Sequence, residues 1–253
     1  MTGAGNNTYL IASLGDAVLI DAGVGERRHR ADLATALDDL RARLSVVAVT
    51  HGHRDHAAGA PAIAAAHPSA VFEKYPWPDE DDRYAIDWQS IDEGDTIAVG
   101  DETLVAIRTP GHSPDHLAFW NEASGAIFTG DLVVSGASVM IHASRGGRLG
   151  EYMASLERLL QLAPRVLYPA HGARIDDPAA VLTSYLSHRR MRERQVLDAL
   201  RAGQADVEAM AGSIYHGLDP ALMPAARENV RAHLEKLRDE GVASEQGGRW
   251  QLS

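Results

Sequence analysis

The segment THGHRDH at residues 50–56 places three histidines and one aspartate within six consecutive positions, 51–56. The apolar run VVAVT at residues 46–50 leads into it and predicts a short buried strand. A hydrophobic core cannot accommodate so many polar side chains, because each would need its own buried hydrogen-bonding partner. Loops at strand ends are where α/β proteins usually place their chemistry. The segment therefore predicts an α/β fold with a functional site at this strand end.

Three later strand-like runs also end in a glycine beside a histidine or an aspartate. These residues are His112 in TPGH, Asp131 in TGD and His171 in PAHG. Glycine lets the backbone turn sharply, so that one side chain can be aimed at a common point. With the first segment, the four strand ends supply five histidines and two aspartates, which match the nitrogen and oxygen donors of two divalent ions. Because the chain has no cysteine, any zinc must be held by histidine and carboxylate, as in catalytic sites.

Spacing within residues 50–56 distributes the side chains between two neighbouring ions. His51 and His53 are two residues apart, so in extended backbone they project on the same side and can share one ion. Asp55 and His56 follow where the chain turns into a helix, and they can serve a second ion. A lone His-x-His pair would fit an ordinary solvated loop, but the three later strand ends make that interpretation weak.

Strand-like and helix-like patterns alternate from the N-terminus to about residue 177. Leucines at intervals of three and four residues predict a helix over residues 26–44, and residues 96–129 are rich in strand patterns. Strand groups followed by helices occur twice, which predicts two sheets with helices on the outside. We therefore assign residues 1–177 to one catalytic α/β domain.

Residues 178–253 are mostly helical and end in the sequence GVASEQGGRWQLS. This ending predicts a hairpin of two short strands around Gly247 and Gly248, with Trp250 and Leu252 facing the core. Three helices followed by a hairpin describe a winged-helix module. The sequence thus predicts a second, smaller domain of winged-helix type at residues 178–253.

The His-x-His-x-Asp-His pattern and the later ligand positions resemble the metallo-β-lactamase superfamily of binuclear metallohydrolases. The resemblance implies an αββα sandwich, two sets of metal ligands and one residue that bridges them. One set is His51, His53 and His112, the other is Asp55, His56 and His171, and Asp131 bridges the two ions. It also implies a hydroxide held between the ions as the nucleophile, with Asp55 and Asp131 as catalytic residues. Two divalent ions are expected, Zn²⁺ above all, although histidine and carboxylate sites also accept iron or manganese.

A narrower resemblance covers nearly the whole chain. The runs NNTYLIAS and AVLIDAG near the start, SHRRMRERQVLDAL at residues 187–200 and the C-terminal module are similar to the β-lactamase-like protein 2 branch, which is typified by a single-strand endoribonuclease. The resemblance implies phosphodiester cleavage of single-stranded RNA. Gly52 departs from the branch, whose members often carry tryptophan or another large residue there, and the region around His142 also departs from it. Both departures lie where they can reshape the substrate pocket.

Two other functions remain open at this point. The first is a small-molecule hydrolase of thioesters, esters or lactones, as in glyoxalase-II-like relatives, which the net charge of −11 and the lack of aromatic stacking clusters favour. The second is a metal-stabilised regulator that binds nucleic acid through its winged helix without turnover. The complete set of candidate ligands counts against that regulator.

Five further residues are candidates for orienting a ligand or contacting the substrate. They are Asp21, Asp115, His116, His142 and His188. Asp21 ends an early strand, where it either orients a ligand histidine or forms a simple turn. For His116 a satisfied strand histidine is the favoured alternative, and for His142 a solvated loop position is favoured. The alternative for His188 is an ordinary helix face.

Charge and hydropathy limit the partners. The acidity of the chain disfavours duplex DNA, and the basic residues of the C-terminal helices are offset by acidic ones. The N-terminal run MTGAGNNTYL has neither a basic region nor an apolar stretch, and no run reaches membrane-spanning length. We therefore expect a cytoplasmic protein without a membrane partner. Its substrate is expected to be an anionic or acyl compound, single-stranded RNA included, and a homo-oligomer remains open.

Overall fold

A computed structural model of the chain describes residues 5–136 and 138–253, and its strands form two five-stranded sheets and one hairpin. The first sheet contains, in spatial order, β1 (Tyr9–Ser13), β2 (Asp16–Ile20), β3 (Arg43–Val49), β4 (Val71–Lys74) and β5 (Trp88–Ser90). β1 pairs antiparallel with β2, and β2 to β5 run parallel to one another. Parallel neighbours need crossover connections. These contain α1 (Arg27–Leu40), α2 (Arg54–Ala57), α3 (Ala60–Ala66) and α4 (Pro78–Asp81).

The second sheet is mainly antiparallel. Its strands are β6 (Thr96–Val99), β7 (Glu102–Arg108), β8 (Leu117–Asn121), β9 (Ala126–Gly130) and β10 (Val166–Pro169). β6 to β9 form a meander, and β10 pairs parallel with β9, so that the spatial order is β10-β9-β8-β7-β6. The C-terminal ends of β9 and β10 therefore lie at the same edge of the sheet.

β2 is buried on both of its faces. Side chains alternate along a strand, so Ala17 and Leu19 point to one side and Val18 and Ile20 to the other. Ala17 and Leu19 pack with apolar side chains of α1 and α3, whereas Val18 and Ile20 pack with those of β7, β8 and β9. The two sheets thus lie face to face, and helices cover the outer face of the first sheet. The predicted α/β sandwich is confirmed.

The helix predicted over residues 26–44 is shorter than expected. It ends at Leu40, because Arg41 adopts a left-handed conformation with φ 50° and its N–H donates to carbonyl oxygens of the last turn. Leu44 belongs to β3, from which it joins the core that Leu33 and Leu37 reach from α1. Leu44 of β3 and the leucines of α1 enter the same core, and their spacing in the sequence happens to fit one helical stripe. The spacing alone therefore predicted one continuous helix.

The chain divides into two compact units, and the division is not a single cut in the sequence. The second unit comprises Pro110–Pro114, Ser138–Gln161 and Ala180–Ser253, and the first comprises the other described residues. Both five-stranded sheets belong to the first unit. The boundary predicted between residues 177 and 178 coincides with the start of the long helix at Pro178.

The second unit is helical and ends in a hairpin. Its elements are α5 (Leu149–Leu162), α6 (Pro178–Arg201), α7 (Val207–Ile214), α8 (Met223–Asp239), β11 (Ala243–Gln246) and β12 (Arg249–Leu252). Val230, Leu234 and Leu237 of α8 are buried in one core with Trp250, which the sequence places in the core. The prediction for Leu252 is wrong, because this last strand residue is 39% exposed. Among the helices of the described residues, none is both long enough and apolar enough to cross a bilayer.

Gly59 lets the segment after β2 lie against the helix that carries two of the predicted ligands. Ala22 N donates to His56 O at 2.7 Å, and Gly59 N donates to Gly23 O at 2.8 Å. A Cβ added to Gly59 would lie 2.0 Å from the carbonyl oxygen of Ala22. Since Gly59 itself has an ordinary φ of −77°, the constraint at this position is the close approach of two backbones.

We expect Gly59→Ala to lower the free energy of unfolding by about 3 kcal/mol, because the new Cβ meets backbone atoms that cannot move aside. Gly94→Ala is the matched control in the same unit, since its added Cβ meets nothing within 4 Å and only its φ of +81° is unfavourable. That control should cost about 1 kcal/mol. Urea unfolding followed by circular dichroism measures both values. Equal losses in the two variants would contradict the close-approach argument.

Candidate metal centre

The first two predicted ligands lie side by side at the end of β3. His51 is fully buried, and His53 occupies the extended position that precedes α2, with φ −63° and ψ 150°. The Nε2 atom of His51 and the Nδ1 atom of His53 are 2.9 Å apart. The extended backbone therefore turns both rings to the same side, as the spacing of two residues predicts.

Four more predicted ligands converge from three other positions in the same unit. Asp55 and His56 lie on α2, Asp131 follows β9, and His171 follows β10. The Nε2 atom of His171 is 3.3 Å from Asp55 Oδ2 and 3.2 Å from Asp131 Oδ1. The Nε2 atom of His56 is 3.8 Å and 3.6 Å from the same two oxygens. Two carboxylates and two imidazoles thus surround one small volume.

These donors fit divalent ions better than they satisfy one another. His56 Nε2 is buried and has no hydrogen-bond partner, although two carboxylate oxygens lie within 4 Å of it. Donor atoms of Asp55, His56 and His171 lie within 4.8 Å of one another, and so do those of His51, His56 and Asp131. Each group offers the mixed nitrogen and oxygen donors that zinc, iron and manganese accept. The cluster is therefore able to bind metal, and Asp131 lies close to members of both predicted ligand sets.

The tautomers of two histidines also suit metal binding. The Nδ1 atom of His56 is 2.8 Å from Asp21 Oδ2, and the Nδ1 atom of His171 is 2.9 Å from Gly5 O. Both oxygens only accept, so each Nδ1 carries a proton and each Nε2 points into the cluster. Fixing the outer nitrogen of a ligand histidine in this way is the usual support for a metal site.

The carboxylates shift the pKa values of the rings in the cluster. Burial alone would lower the pKa of His56, but Asp21 and Asp131 beside it raise that pKa well above the ordinary 6.5. Hydrogen bonds to Asp131 and Asp55 raise the pKa of His171 to about 10. Burial, together with the neighbouring His56, lowers the pKa of His53. In the absence of ions, protons on two rings therefore balance the negative charge of the carboxylates.

Asp21 holds both the start and the end of the segment at residues 50–56. It is buried and adopts a left-handed conformation with φ 63°, which turns its carboxylate back over the end of β3. Its Oδ1 atom accepts hydrogen bonds from Thr50 N at 2.8 Å and from Thr50 Oγ1 at 2.9 Å. Its Oδ2 atom accepts from His56 Nδ1. Of the two roles predicted for Asp21, the contacts match the orientation of a ligand histidine.

His116 supports the backbone at Asp131. Asp131 N donates to His116 Nε2 at 3.1 Å, so the ring proton lies on Nδ1, which is 2.8 Å from Thr109 Oγ1. The ring is fully buried, in agreement with the prediction of a satisfied strand histidine. A Cβ at Gly130 would lie 2.8 Å from His116 Nε2, so glycine is required where β9 delivers Asp131.

Asp115 contacts residues 50–56, the ligand segment, directly, and it also binds a buried lysine that was not among the predicted site residues. Asp115 Oδ2 accepts from Gly52 N at 2.6 Å and from Lys74 Nζ at 2.8 Å. Lys74 is 1% exposed on the short strand β4. The sequence does carry a signal for the burial of Lys74. Side chains alternate along a strand, so Lys74 lies on the same face of β4 as the buried Phe72.

The other three predicted residues belong to the second unit. His112 Nδ1 donates to Met140 O at 3.1 Å. Burial, together with Arg145, lowers the pKa of His142, and burial with Arg189 lowers that of His188. The assignment of His112 to the same ion as His51 and His53 stays a prediction, as do the substrate contacts of His142 and His188.

Comparison with known proteins identifies both parts of the sequence. Residues 1–171 match the family model of the metallo-beta-lactamase superfamily, and residues 207–250 match the beta-lactamase associated winged helix domain.

Three curated relatives illustrate the similarity. The chain is 37% identical over 212 residues to lactamase-like protein adaB of Aspergillus niger, covering 82% of this chain and 62% of that protein. It is 34% identical over 203 residues to an atrochrysone carboxyl ACP thioesterase of Aspergillus fumigatus, covering 78% of this chain and 60% of that protein. It is 28% identical over 246 residues to the beta-lactamase-like protein 2 homolog of Caenorhabditis elegans, covering 94% and 80%. The chain therefore spans about three fifths of the length of the first two relatives.

Solved structures share the fold. A beta-lactamase domain protein from Burkholderia ambifaria superimposes with a TM-score of 0.81 at 21% identity, covering 98% of this chain and 87% of that one. The protein TTHA1623, solved in a di-iron-bound form, superimposes with a TM-score of 0.57 at 24% identity, covering 69% and 91%.

We expect Asp21→Asn to weaken metal binding by about 10- to 100-fold, because asparagine keeps the backbone conformation and the size but loses the charge that fixes His56. Competition of the protein with a chromophoric chelator measures the affinity. Asp87→Asn, an exposed change in the same unit, is the control and should leave the affinity unchanged. Unaltered affinity in Asp21→Asn would show that this carboxylate does not support the ligand.

The raised pKa of His171 predicts how the stability of the metal-free protein depends on pH. A group with a raised folded-state pKa contributes fully below its unfolded value of 6.5 and loses that contribution as the pH rises through about 10. After allowance for solvent screening, we expect the free energy of unfolding to fall by roughly 2 kcal/mol across this window. Urea unfolding in the presence of a chelator measures the dependence. His171→Gln should reduce the slope, and a slope identical to that of the unchanged protein would refute the assignment.

Proposed function

The chain belongs to the metallo-beta-lactamase superfamily of hydrolases, and on that premise we propose that it hydrolyses thioesters of acyl compounds. The observation that carries this proposal is the convergence of His51, His56, Asp55, Asp131 and His171 on one small volume. The superfamily and the winged-helix module were both predicted from the sequence, and both are confirmed. The substrate class is the part that we propose here.

In the proposed site, the chain supplies two adjoining sets of donors. Asp55, His56 and His171 form one set, and His51 and His53 belong to the other. We propose that His112 completes the second set and that Asp131 serves both, as the sequence predicts. Divalent ions held there would lower the pKa of a water molecule and polarise the carbonyl group of the substrate.

The protein's own side chains set the geometry of this site. Asp21 fixes the ring of His56, and His116 fixes the backbone of Asp131, so the donors are held before a substrate binds. In the metal-free protein a hydrogen bond from His171 lowers the pKa of Asp55 although burial alone would raise it, and bound cations would likewise favour the ionised carboxylate. An ionised Asp55 can accept a proton from a water molecule that attacks the acyl carbon.

Two observations favour an acyl substrate over RNA. One relative, which is 34% identical to this chain, is an atrochrysone carboxyl ACP thioesterase. In addition, α4 begins near Gly52 and carries Asp79, Glu80 and Asp81 in its first turn. Glu80 and Asp81 are offset by Arg83 and Lys74, and the acidic excess that remains beside the ligand segment disfavours a polyanion.

The second unit gives little support to nucleic-acid binding. The basic side chains of α8 are paired with acidic neighbours of the same unit. The pairs are Arg227–Glu208, Arg231–Glu228, Lys236–Glu193 and Arg238–Asp239. Paired cations of this kind form a solvated surface and release few counterions on meeting a phosphate backbone. Cleavage of single-stranded RNA, which the narrower resemblance implies, therefore serves as the competing outcome of the experiment.

The test measures turnover of a panel of acyl thioesters beside a labelled single-stranded RNA, with zinc-, iron- and manganese-loaded protein. We expect thioester hydrolysis, and we expect Asp131→Ala to lower kcat/KM by at least about 100-fold, since removing a ligand costs more than removing its support. Asp87→Ala, an exposed aspartate of the same unit, is the matched control and should retain full activity. RNA cleavage without thioester turnover, lost in Asp131→Ala, would replace the proposal with the ribonuclease function.

A further inference from the structure

Lys74 connects two segments that lie on opposite sides of it. Its Nζ atom donates to Asp115 Oδ2 at 2.8 Å and to Tyr75 O at 2.6 Å, and it is 2.7 Å from Asp81 Oδ1. The side chains of Lys74 and Asp115 are fully buried, and that of Asp81 is 14% exposed. A buried lysine shared by two carboxylates constrains both of them, because a carboxylate that moves away loses a short charge-assisted contact.

Asp115 extends this constraint to the ligand segment. Its Oδ2 atom accepts from Gly52 N at 2.6 Å, and Gly52 lies between His51 and His53. The carbonyl oxygen of Gly52 accepts from Tyr84 Oη at 2.9 Å. Both backbone polar groups of Gly52, its N–H and its carbonyl oxygen, are thus held by side chains. Movement of Gly52 would turn the two histidine rings with it.

Asp81 extends the constraint to the 77–84 segment, which contains α4 and ends at Tyr84. Its Oδ2 atom accepts from Trp77 N at 2.7 Å, while its Oδ1 atom contacts Lys74. The half-buried ring of Trp77 lies 6.4 Å from the ring of His53, measured between centroids. A large apolar surface is therefore positioned beside a predicted metal ligand.

The small size of Gly52 permits this arrangement. A Cβ added there would lie 3.2 Å from Glu80 Cβ and 3.3 Å from Asp115 Oδ2. A large side chain at position 52 would push the 77–84 segment away from the ligand segment. The glycine and the buried lysine therefore act together on the distance between Trp77 and His53.

We propose that Lys74 is a positioning residue that holds the 77–84 segment as the wall against which the acyl group of the substrate packs, with Trp77 as its contact surface. This inference rests on the proposed thioester hydrolysis. Lys74 touches neither the substrate nor a ligand of the metal centre, and it acts through Asp81 on the wall and through Asp115 on Gly52. The two branches reach Gly52 at different atoms, since Asp115 holds its N–H and the wall reaches its carbonyl oxygen through Tyr84, so they make separate predictions.

The kinetic experiment separates the two branches. Asp81→Ala should raise KM for a long-chain acyl thioester about tenfold with kcat and metal content unchanged, because it releases the wall while Asp115 still holds Gly52 N. Trp77→Ala should reproduce this effect, and Asp82→Ala, an exposed change next to α4, should not. Lys74→Met should raise KM and also weaken metal binding, because it releases Gly52 as well. Loss of kcat and metal in Asp81→Ala, or an unchanged KM, would overturn the proposal.

Hydrogen exchange tests the positioning without any substrate. In the unchanged protein the amides of Gly52 and Trp77 are bonded to Asp115 and Asp81 and should exchange slowly. Asp81→Ala should accelerate exchange at Trp77 at least about tenfold and leave Gly52 protected. Acceleration at both amides, or at neither, would refute separate control of wall and ligand segment. This measurement needs no turnover, so it tests the role of Lys74 even if the protein has no thioesterase activity, a result that would disprove only the proposed function. It also uses Asp81→Ala, so it remains possible if Lys74→Met fails to fold.

Discussion

The rest of the centre depends on the hydrogen bonds that the buried carboxylate of Asp21 accepts. It is buried at the end of a strand that has no exposed face, and it takes hydrogen bonds from Thr50 and from His56. A buried carboxylate with fewer partners would be strongly unfavourable, so these contacts stabilise the fold as well as the site. They join β2 to β3 and both to α2. The cluster can form only where these three elements already have their native positions.

Much of the centre could be predicted from the sequence because its signals are local. A spacing of two residues predicts that His51 and His53 share an ion. A glycine at the end of an apolar run predicts Asp131 and His171 as ligands. The sandwich follows from repeated strand and helix patterns. The leucine at position 44 shows where such reasoning fails, because its spacing fits a helix that ends earlier at Leu40.

The supporting contacts could not be predicted, because they join residues far apart in the sequence. Nothing near Lys74 indicates that its charge meets Asp115, 41 residues later. In the same way, the role of His116 depends on the backbone of Asp131, which another strand delivers. A sequence pattern shows which residues are suited to bind an ion, whereas the surrounding packing determines which of them are held still.

The burial of β2 on both faces has a consequence for how such a protein can diverge. Ala17, Val18, Leu19 and Ile20 each serve one of two cores, and the next residue, Asp21, contacts the ligand His56, so apart from Asp16 at its start this strand offers little room for a neutral change. The 77–84 segment is different, because it lies at the surface and is joined to the core at few points. New substrates can therefore be accommodated by exchanging this segment, while the chemistry and the stability of the scaffold are inherited unchanged.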